Sequence, residues 1–268
     1  LPKLNVSKSG YYDWINRVPS DQSIMKQKII EKIKKVHTAS YEIYGSPKIT
    51  VMLHKAGLDV SQKTVANYMR EEGLKARYIQ KPTYKPTLEG FNTKLNNILN
   101  RDFNPTAPNE MWCTDITYIW TITGFVYLTS IMDLFSRKII SWKISDSLST
   151  DAVIECVNEA IHRRGISNPV VIHSDRGSQY VSKRYHDALK GNLVASYSRK
   201  GNPWDNACIE SFHALIKREW MQFYKIEDLN HAKSIVFEYI ETFYNTTRIH
   251  SSCGYLSPTN YELEMKLA

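Results

Sequence analysis

The sequence predicts an α/β protein in which a mixed sheet with flanking helices is preceded by an all-α unit. Three observations carry this reading. The 268 residues are 42% hydrophobic and 12% aromatic, which supplies core for one large domain or two modest ones. The apolar period is helical through the first quarter of the chain and turns strand-like from Met111. Three β-rich stretches then follow one another before helices and strands begin to alternate, the order of a mixed sheet covered by helices.

The charge divides along the same line. Residues 1–100 hold 17 Lys/Arg against 8 Asp/Glu, while residues 101–268 hold 18 against 19. A basic front half suits a polyanionic partner, most simply nucleic acid. No apolar run is long enough for a transmembrane helix, and the first residues lack the apolar stretch of a signal peptide. A cytoplasmic protein is therefore expected. The chain begins with Leu1 rather than Met, so upstream sequence is expected as well. Cys113, Cys156, Cys208 and Cys253 are widely spaced, unlike a disulfide framework or zinc knuckle, and read as reduced thiols.

After an N-terminal segment (1–22), residues 24–37 place Met25, Ile29, Ile33 and Val36 at helical spacing. "SPKITVMLHKAG" offers Ser46 as an N-cap and Pro47 at the first helical position, closing at Gly57. "SQKTVANYMREEG" offers Ser61 as a cap and Gly73 as a stop. Two short helices joined by "GLDV" have helix-turn-helix spacing, so residues 23–78 read as a DNA-binding domain. The leading positions of its second helix, Gln62, Lys63, Thr64, Asn67 and Arg70, can meet bases or phosphates. Residues 79–107, basic and proline-containing, read as a linker with a short helix near Leu95–Leu99.

The second domain is expected over 108–268. "MWCTDITYIW", "FVYLTSIMD" and "RKIISWKIS" predict three strands, and Asp133 with Arg137 predicts a turn pair. A helix at "TDAVIECVNEAIHRRG" precedes "PVVIHSD", a short apolar strand suited to a buried parallel position. A helix near Lys183–Lys190, a strand "LVASYS", a helix capped by Asp205 and a long helix from Glu227 to Tyr244 complete the set.

Three carboxylates fall in telling places. Asp115 lies inside the first strand, Asp175 follows "VVIH" where a strand end meets a loop, and Glu210 sits on the helix beyond Asp205. If the first and fourth strands are neighbours, the two aspartates leave the sheet at one edge and helix packing can add Glu210. Clustered carboxylates repel unless they share a hard cation, and oxygen-only donors favour magnesium or manganese over zinc. Two such ions about 3.5–4 Å apart can activate a hydroxyl and stabilise the leaving oxygen of a phosphodiester. Taken singly, each residue has an ordinary structural reading, and position alone does not choose between the two.

"WCTDITYI", "VIHSDRGSQYVS" and "RKGNPWDNACIESFHALIK" resemble the three catalytic blocks of DDE-type insertion-sequence transposases, most nearly the insertion-sequence-three family. The 35-residue interval from Asp175 to Glu210 suits its D-D-35-E pattern. "YNTTRIHSSCGYLSP" is similar to the family's C-terminal signature, and "VSKSGYYDW" with the helix-turn-helix stretch to its N-terminal part. The resemblance implies an RNase H-like, integrase-type core in which Asp115, Asp175 and Glu210 are catalytic and bind two Mg²⁺ ions, with Mn²⁺ substituting. Lys217, seven residues beyond Glu210, matches a basic residue expected to contact DNA near the cleaved bond. Arg199, Lys200 and Asn202 become DNA-contact candidates, as does Arg248, for which holding the C-terminal helix is the competing reading. Asn206 is expected to orient Glu210, Trp204 to pack, and Gly177, Ser178 and Gln179 to shape the loop beside Asp175.

The implied reaction is metal-dependent 3′-end nicking and strand transfer of insertion-sequence ends through a circular intermediate, without a covalent protein intermediate. The implied partners are double-stranded DNA (terminal inverted repeats and target), a second copy in a homodimer or higher oligomer, and a segment from an upstream frame. A bacterial, nucleoid-associated location follows. A retroviral integrase would ordinarily carry a zinc-binding His/Cys cluster, which is missing here. A ribonuclease of this fold has no need of a helix-turn-helix. A catalytically inactive DNA-binding regulator would have no physical reason to keep three repelling carboxylates.

Overall fold

The computed structural model describes residues 7–16, 18–77 and 95–267, arranged as two compact units divided at Arg77 and Tyr78. Most of the expected linker, residues 78–94, lies outside the described residues. Among the described residues, no helix is long and apolar enough to cross a membrane.

The first unit is helical: α1 (Lys8–Ile15), α2 (Asp21–Ala39), α3 (Ser46–Lys55) and α4 (Gln62–Glu71). Ile29 and Ile33 of α2, Ile49 and Leu53 of α3, and Val65 and Met69 of α4 are buried, which is the i, i+4 stripe each helix needs to pack on its neighbours. Of the expected α2 stripe, Met25 stays exposed and His37 is buried beyond Val36, its Nε2 reaching the Lys75 carbonyl. Ser61 caps α4 by accepting from the Thr64 amide at 3.1 Å. Ser46 does not cap α3. Gly45 stands at that position, Ser46 begins the helix and Pro47 follows in its first turn.

The second unit is built on a five-stranded sheet in the order β3-β2-β1-β4-β5, formed by β1 (Met111–Thr121), β2 (Gly124–Asp133), β3 (Ile139–Ser145), β4 (Val170–Ser174) and β5 (Leu193–Tyr197). The first three strands meander antiparallel, while β4 and β5 run parallel to β1. One face carries Trp112, Ile131 and Ile172 against α5 (Thr150–Arg164) and α6 (Lys183–Leu189). The other meets α7 (Ala207–Glu219) and α8 (Leu229–Phe237), which continues as a π-helical stretch over Glu238–Tyr244, so the long C-terminal helix changes pitch part-way. Phe212, Trp220, Tyr239, Phe243 and Tyr244 form an aromatic core there, with Trp220 stacked on Phe243 at 5.6 Å. α9 (Pro258–Leu267) ends the described chain.

Several local expectations are corrected. Leu95–Leu99 is irregular chain leading into a turn, held by the Ile98 and Leu99 amides donating to Ser196 Oγ. Asp133 pairs with Arg164 at 2.9 Å instead of Arg137, because its fully buried carboxylate needs a cation from the helix packed over the sheet. Asp205 does not cap α7. It is fully buried in a 3-10 turn (Pro203–Asn206), where Arg199, Arg101 and Asn97 surround its carboxylate.

Candidate functional site

The parallel β1–β4 pairing sets the site. Cys113 lies opposite His173, so Asp115 and Asp175, each two residues further on, leave the sheet at the same level. β1 continues past this point only on its β2 side, where Asp115 pairs with Ser130. The neighbouring strand has ended, which opens the crevice that parallel sheets form at their carboxyl ends. β4 gives way to a tight loop in which Asp175 Oδ1 accepts the Gly177 amide at 2.8 Å. A Cβ at Gly177 would stand 3.0 Å from that oxygen, a contact close enough that a larger residue would have to displace the carboxylate by a few tenths of an ångström. Gln179 braces the loop through Nε2 to the Leu148 carbonyl at 3.1 Å, while Ser178 faces solvent.

Helix α7 brings the third carboxyl. Ile209, Phe212 and Ile216 are buried, fixing the helix on the sheet and turning Glu210 from its first turn toward the carboxyl edge. Glu210 is raised to about 7, first by partial desolvation and then by the charges of Asp115 and Asp175. Asp175 is raised to about 6 by desolvation and by Asp115, the Gly177 amide opposing. The three carboxyls thus share one electrostatic site. Among the described residues, no three His, Cys, Asp or Glu side chains are gathered closely enough to hold a metal ion as they stand. Lys217, two turns along α7 and exposed, is lowered by desolvation while the charge of Asp115 acts to raise it, so the lysine lies within that carboxylate's field.

His213, which the sequence reading passed over, faces the same site. Its Nδ1 lies 3.3 Å from Asp115 Oδ2 and its Nε2 3.3 Å from Ser130 Oγ. The signal was a polar residue inside the Ile209, Phe212, Ile216 stripe, three positions after Glu210. Asn206 does not reach Glu210. It is buried, its Nδ2 donates to the Thr114 carbonyl at 3.4 Å, and its Oδ1 has no partner among the described residues. Trp204 is 70% exposed and does not pack.

The other expected contacts separate. Gln62, Lys63, Asn67 and Arg70 are exposed on α4, whereas Thr64 is half-buried with its hydroxyl against Ser61 Oγ at 2.9 Å. Lys200 is exposed, Asn202 half-buried, and Arg199 pairs with Asp205 at 2.9 Å. Arg248 is corrected: it is buried and pairs with Glu219 through Nε at 2.7 Å and Nη2 at 2.6 Å, so it anchors the C-terminal segment and is not presented to DNA.

Family comparisons meet this architecture along its length. An HTH-like domain matches residues 25–82, and integrase core domains match 105–203 and 192–258. The transposase for insertion sequence element IS904 of Lactococcus lactis is 37% identical over 92% of this chain and 98% of its own length. Transposase InsF for insertion sequence IS3A of Escherichia coli is 36% identical over 97% of this chain and 91% of its own. The chain belongs to the insertion-sequence-three family of DDE transposases. Among solved structures, the HTLV-2 integrase catalytic core in complex with magnesium aligns with 59% of this transposase and 98% of its own chain, at 15% identity and a TM-score of 0.46.

Proposed function

We propose that Asp115, Asp175 and Glu210 are the catalytic carboxylates of this transposase and hold two divalent cations, Mg²⁺ or Mn²⁺, for 3′-end nicking and strand transfer. The observation that carries the reading is the convergence of three carboxyls from β1, the end of β4 and α7, where desolvation raises Asp175 and Glu210 and the charge of Asp115 adds to both. An all-oxygen set of this kind suits a hard cation, which would restore the ionised state of Asp175 and Glu210. When bound, the ions supply charge neutralisation and an activated hydroxyl at the phosphodiester. The protein's own contribution is to hold the carboxylates on rigid elements and to offer Lys217 as a phosphate contact beside them. Lys200, Arg199 and Asn202, in the loop before α7, would extend that contact along the strand, and α4 would read the terminal repeat through Gln62, Lys63, Asn67 and Arg70.

The full reading is excision of insertion-sequence ends through a circular intermediate, by an oligomer that brings two ends together at the bacterial nucleoid, with an upstream-frame segment as a further partner. Glu210→Gln is expected to abolish nicking and joining of end oligonucleotides in Mg²⁺ or Mn²⁺ while end binding stays within about twofold. The loss should exceed the roughly 100-fold seen when a residue behind a metal ligand is removed. Equal losses of binding and cleavage would take Glu210 out of the metal set. Lys217→Ala is expected to weaken end binding and reduce the slope of log K against log salt by about one, the signature of one lost phosphate contact. An unchanged slope would remove Lys217 from the DNA-facing group.

A further inference from the structure

We infer that His213 is a positioning residue that fixes the Asp115 carboxylate for metal binding, braced from behind by Ser130. This rests on the reading of Asp115 as a metal ligand. Asp115 lies on a strand whose neighbour on the β4 side has ended, so pairing with β4 does not reach it. His213 supplies a side-chain contact to its carboxylate. It is buried at 5% exposure, and its ring lies between Asp115 Oδ2 and Ser130 Oγ, each 3.3 Å from one of its nitrogens. A carboxylate can only accept, so the proton on that side belongs to Nδ1. Ser130 is the residue directly opposite Asp115 in the β1–β2 register, so the imidazole spans a strand pair that already fixes the distance between its two contacts.

Three features separate this arrangement from ordinary core packing. The ring interrupts an apolar stripe of Ile209, Phe212 and Ile216, where an aliphatic side chain would fill the space at less desolvation cost. It stands on the same helix as Glu210, three residues on, so the same rigid element that carries one carboxyl also orients another. And it touches the Asp115 carboxylate at 3.3 Å, the same group whose charge acts on Asp175 and Glu210. A partner behind a ligating carboxylate fixes which oxygen faces the ion and commonly changes affinity 10–100-fold.

Two substitutions of similar size divide the two contacts. The amide nitrogen of Asn falls near Nδ1 of the histidine it replaces, and that of Gln near Nε2. His213→Asn therefore keeps the contact to Asp115, and His213→Gln keeps the one to Ser130. Mn²⁺ binding to the full chain without DNA, followed by the electron paramagnetic resonance of free Mn²⁺, reads the effect independently of activity. His213→Asn should bind within about threefold of wild type, and His213→Gln about 10-fold more weakly, with similar melting temperatures in EDTA. Equal Mn²⁺ affinity in the two variants would overturn the inference and leave His213 as packing. Asp115→Asn distinguishes the underlying reading: if it binds Mn²⁺ as tightly as wild type, the ligand assignment fails, whereas loss there with no Asn/Gln difference defeats the role of His213 alone.

Discussion

The raised carboxyls are the feature at the residue scale with the most direct consequence. Glu210 moves from an ordinary 4.5 to about 7 and Asp175 from 3.8 to about 6. The native chain therefore binds more protons than the unfolded chain between roughly pH 4 and 7, and metal-free stability from these groups is full below that window and falls as pH rises through it. In EDTA, Glu210→Gln should melt progressively higher than wild type as pH increases from 5 to 8, because the amide never has to ionise. Thermal melts of the two proteins across that range check this, and a difference that does not change with pH would show that Glu210 titrates normally. Adding Mn²⁺ should reverse the order above pH 7, since only wild type gains from the ion. Asp115 and Asp175 stood out as candidates in the sequence because a charge inside a strand and another at a strand's end are costly enough to demand a reason, whereas grouping them with Glu210 took the resemblance to the transposase blocks. His213 could not, since a histidine among apolar helix positions looks like core until the opposite strand is known. Arg248 kept two readings in the sequence for the converse reason: its buried partner Glu219 lies 29 residues away, and nothing local announces the pair.

At the scale of elements, the site depends on how the chain enters α7. Asp205 accepts the Arg199 amide and guanidinium at 2.9 Å, Arg101 Nε at 2.7 Å and Asn97 Nδ2 at 2.9 Å, which ties the loop after β5 and the turn before β1 to the start of α7. The Arg199 hydrogen bonds, opposed by desolvation and aided by Arg101, hold this carboxyl well below the usual range. Its contribution is present above the ordinary carboxylate pKa and lost as pH falls. Asp205→Ala should cost about 3 kcal/mol, the low end for a broken buried pair because both arginines reach solvent. Urea unfolding measures this, and a cost below about 1 kcal/mol would mean that the arginines rearrange without it. The sequence suggested a helix cap here because aspartate before a helix usually caps. Long-range cations won, and α7 starts without a side-chain cap. Strand identity was easier to read, since alternation in β1 and continuous apolarity in β4 reflect one-sided and two-sided burial. The adjacency of β1 and β4 was only a condition in the sequence, because pairing across the α5 crossover leaves no local mark.

At the scale of the whole molecule, the proposed function puts recognition and chemistry in different units. The basic excess of residues 1–100 coincides with the helical unit and the chain that follows it, while the sheet unit is close to neutral. Binding to the ends should then be dominated by α4 and neighbouring lysines, leaving the carboxylate site to act on DNA already held. The helices of the first unit were legible from period alone, because they need only short-range signals: for α4 a cap at Ser61, a stop at Gly73 and a stripe of Val65 and Met69. The proposed division makes two exposed residues on one helix behave differently. Asn67, suited to a base edge, should on replacement by Ala lose about 1–3 kcal/mol for the cognate end and little for scrambled duplex. Lys63, a point charge, should on replacement by Ala weaken both duplexes alike and lower the salt slope by about one. Binding titrations of cognate and scrambled duplex at several salt concentrations separate the two patterns. If Asn67→Ala weakens both duplexes equally, α4 lies along the backbone rather than in the groove, and the sequence of the end must be read by the second unit. In that case the neutral charge of the catalytic unit gains a reason of its own, since base readout there could not rely on a general attraction to phosphate.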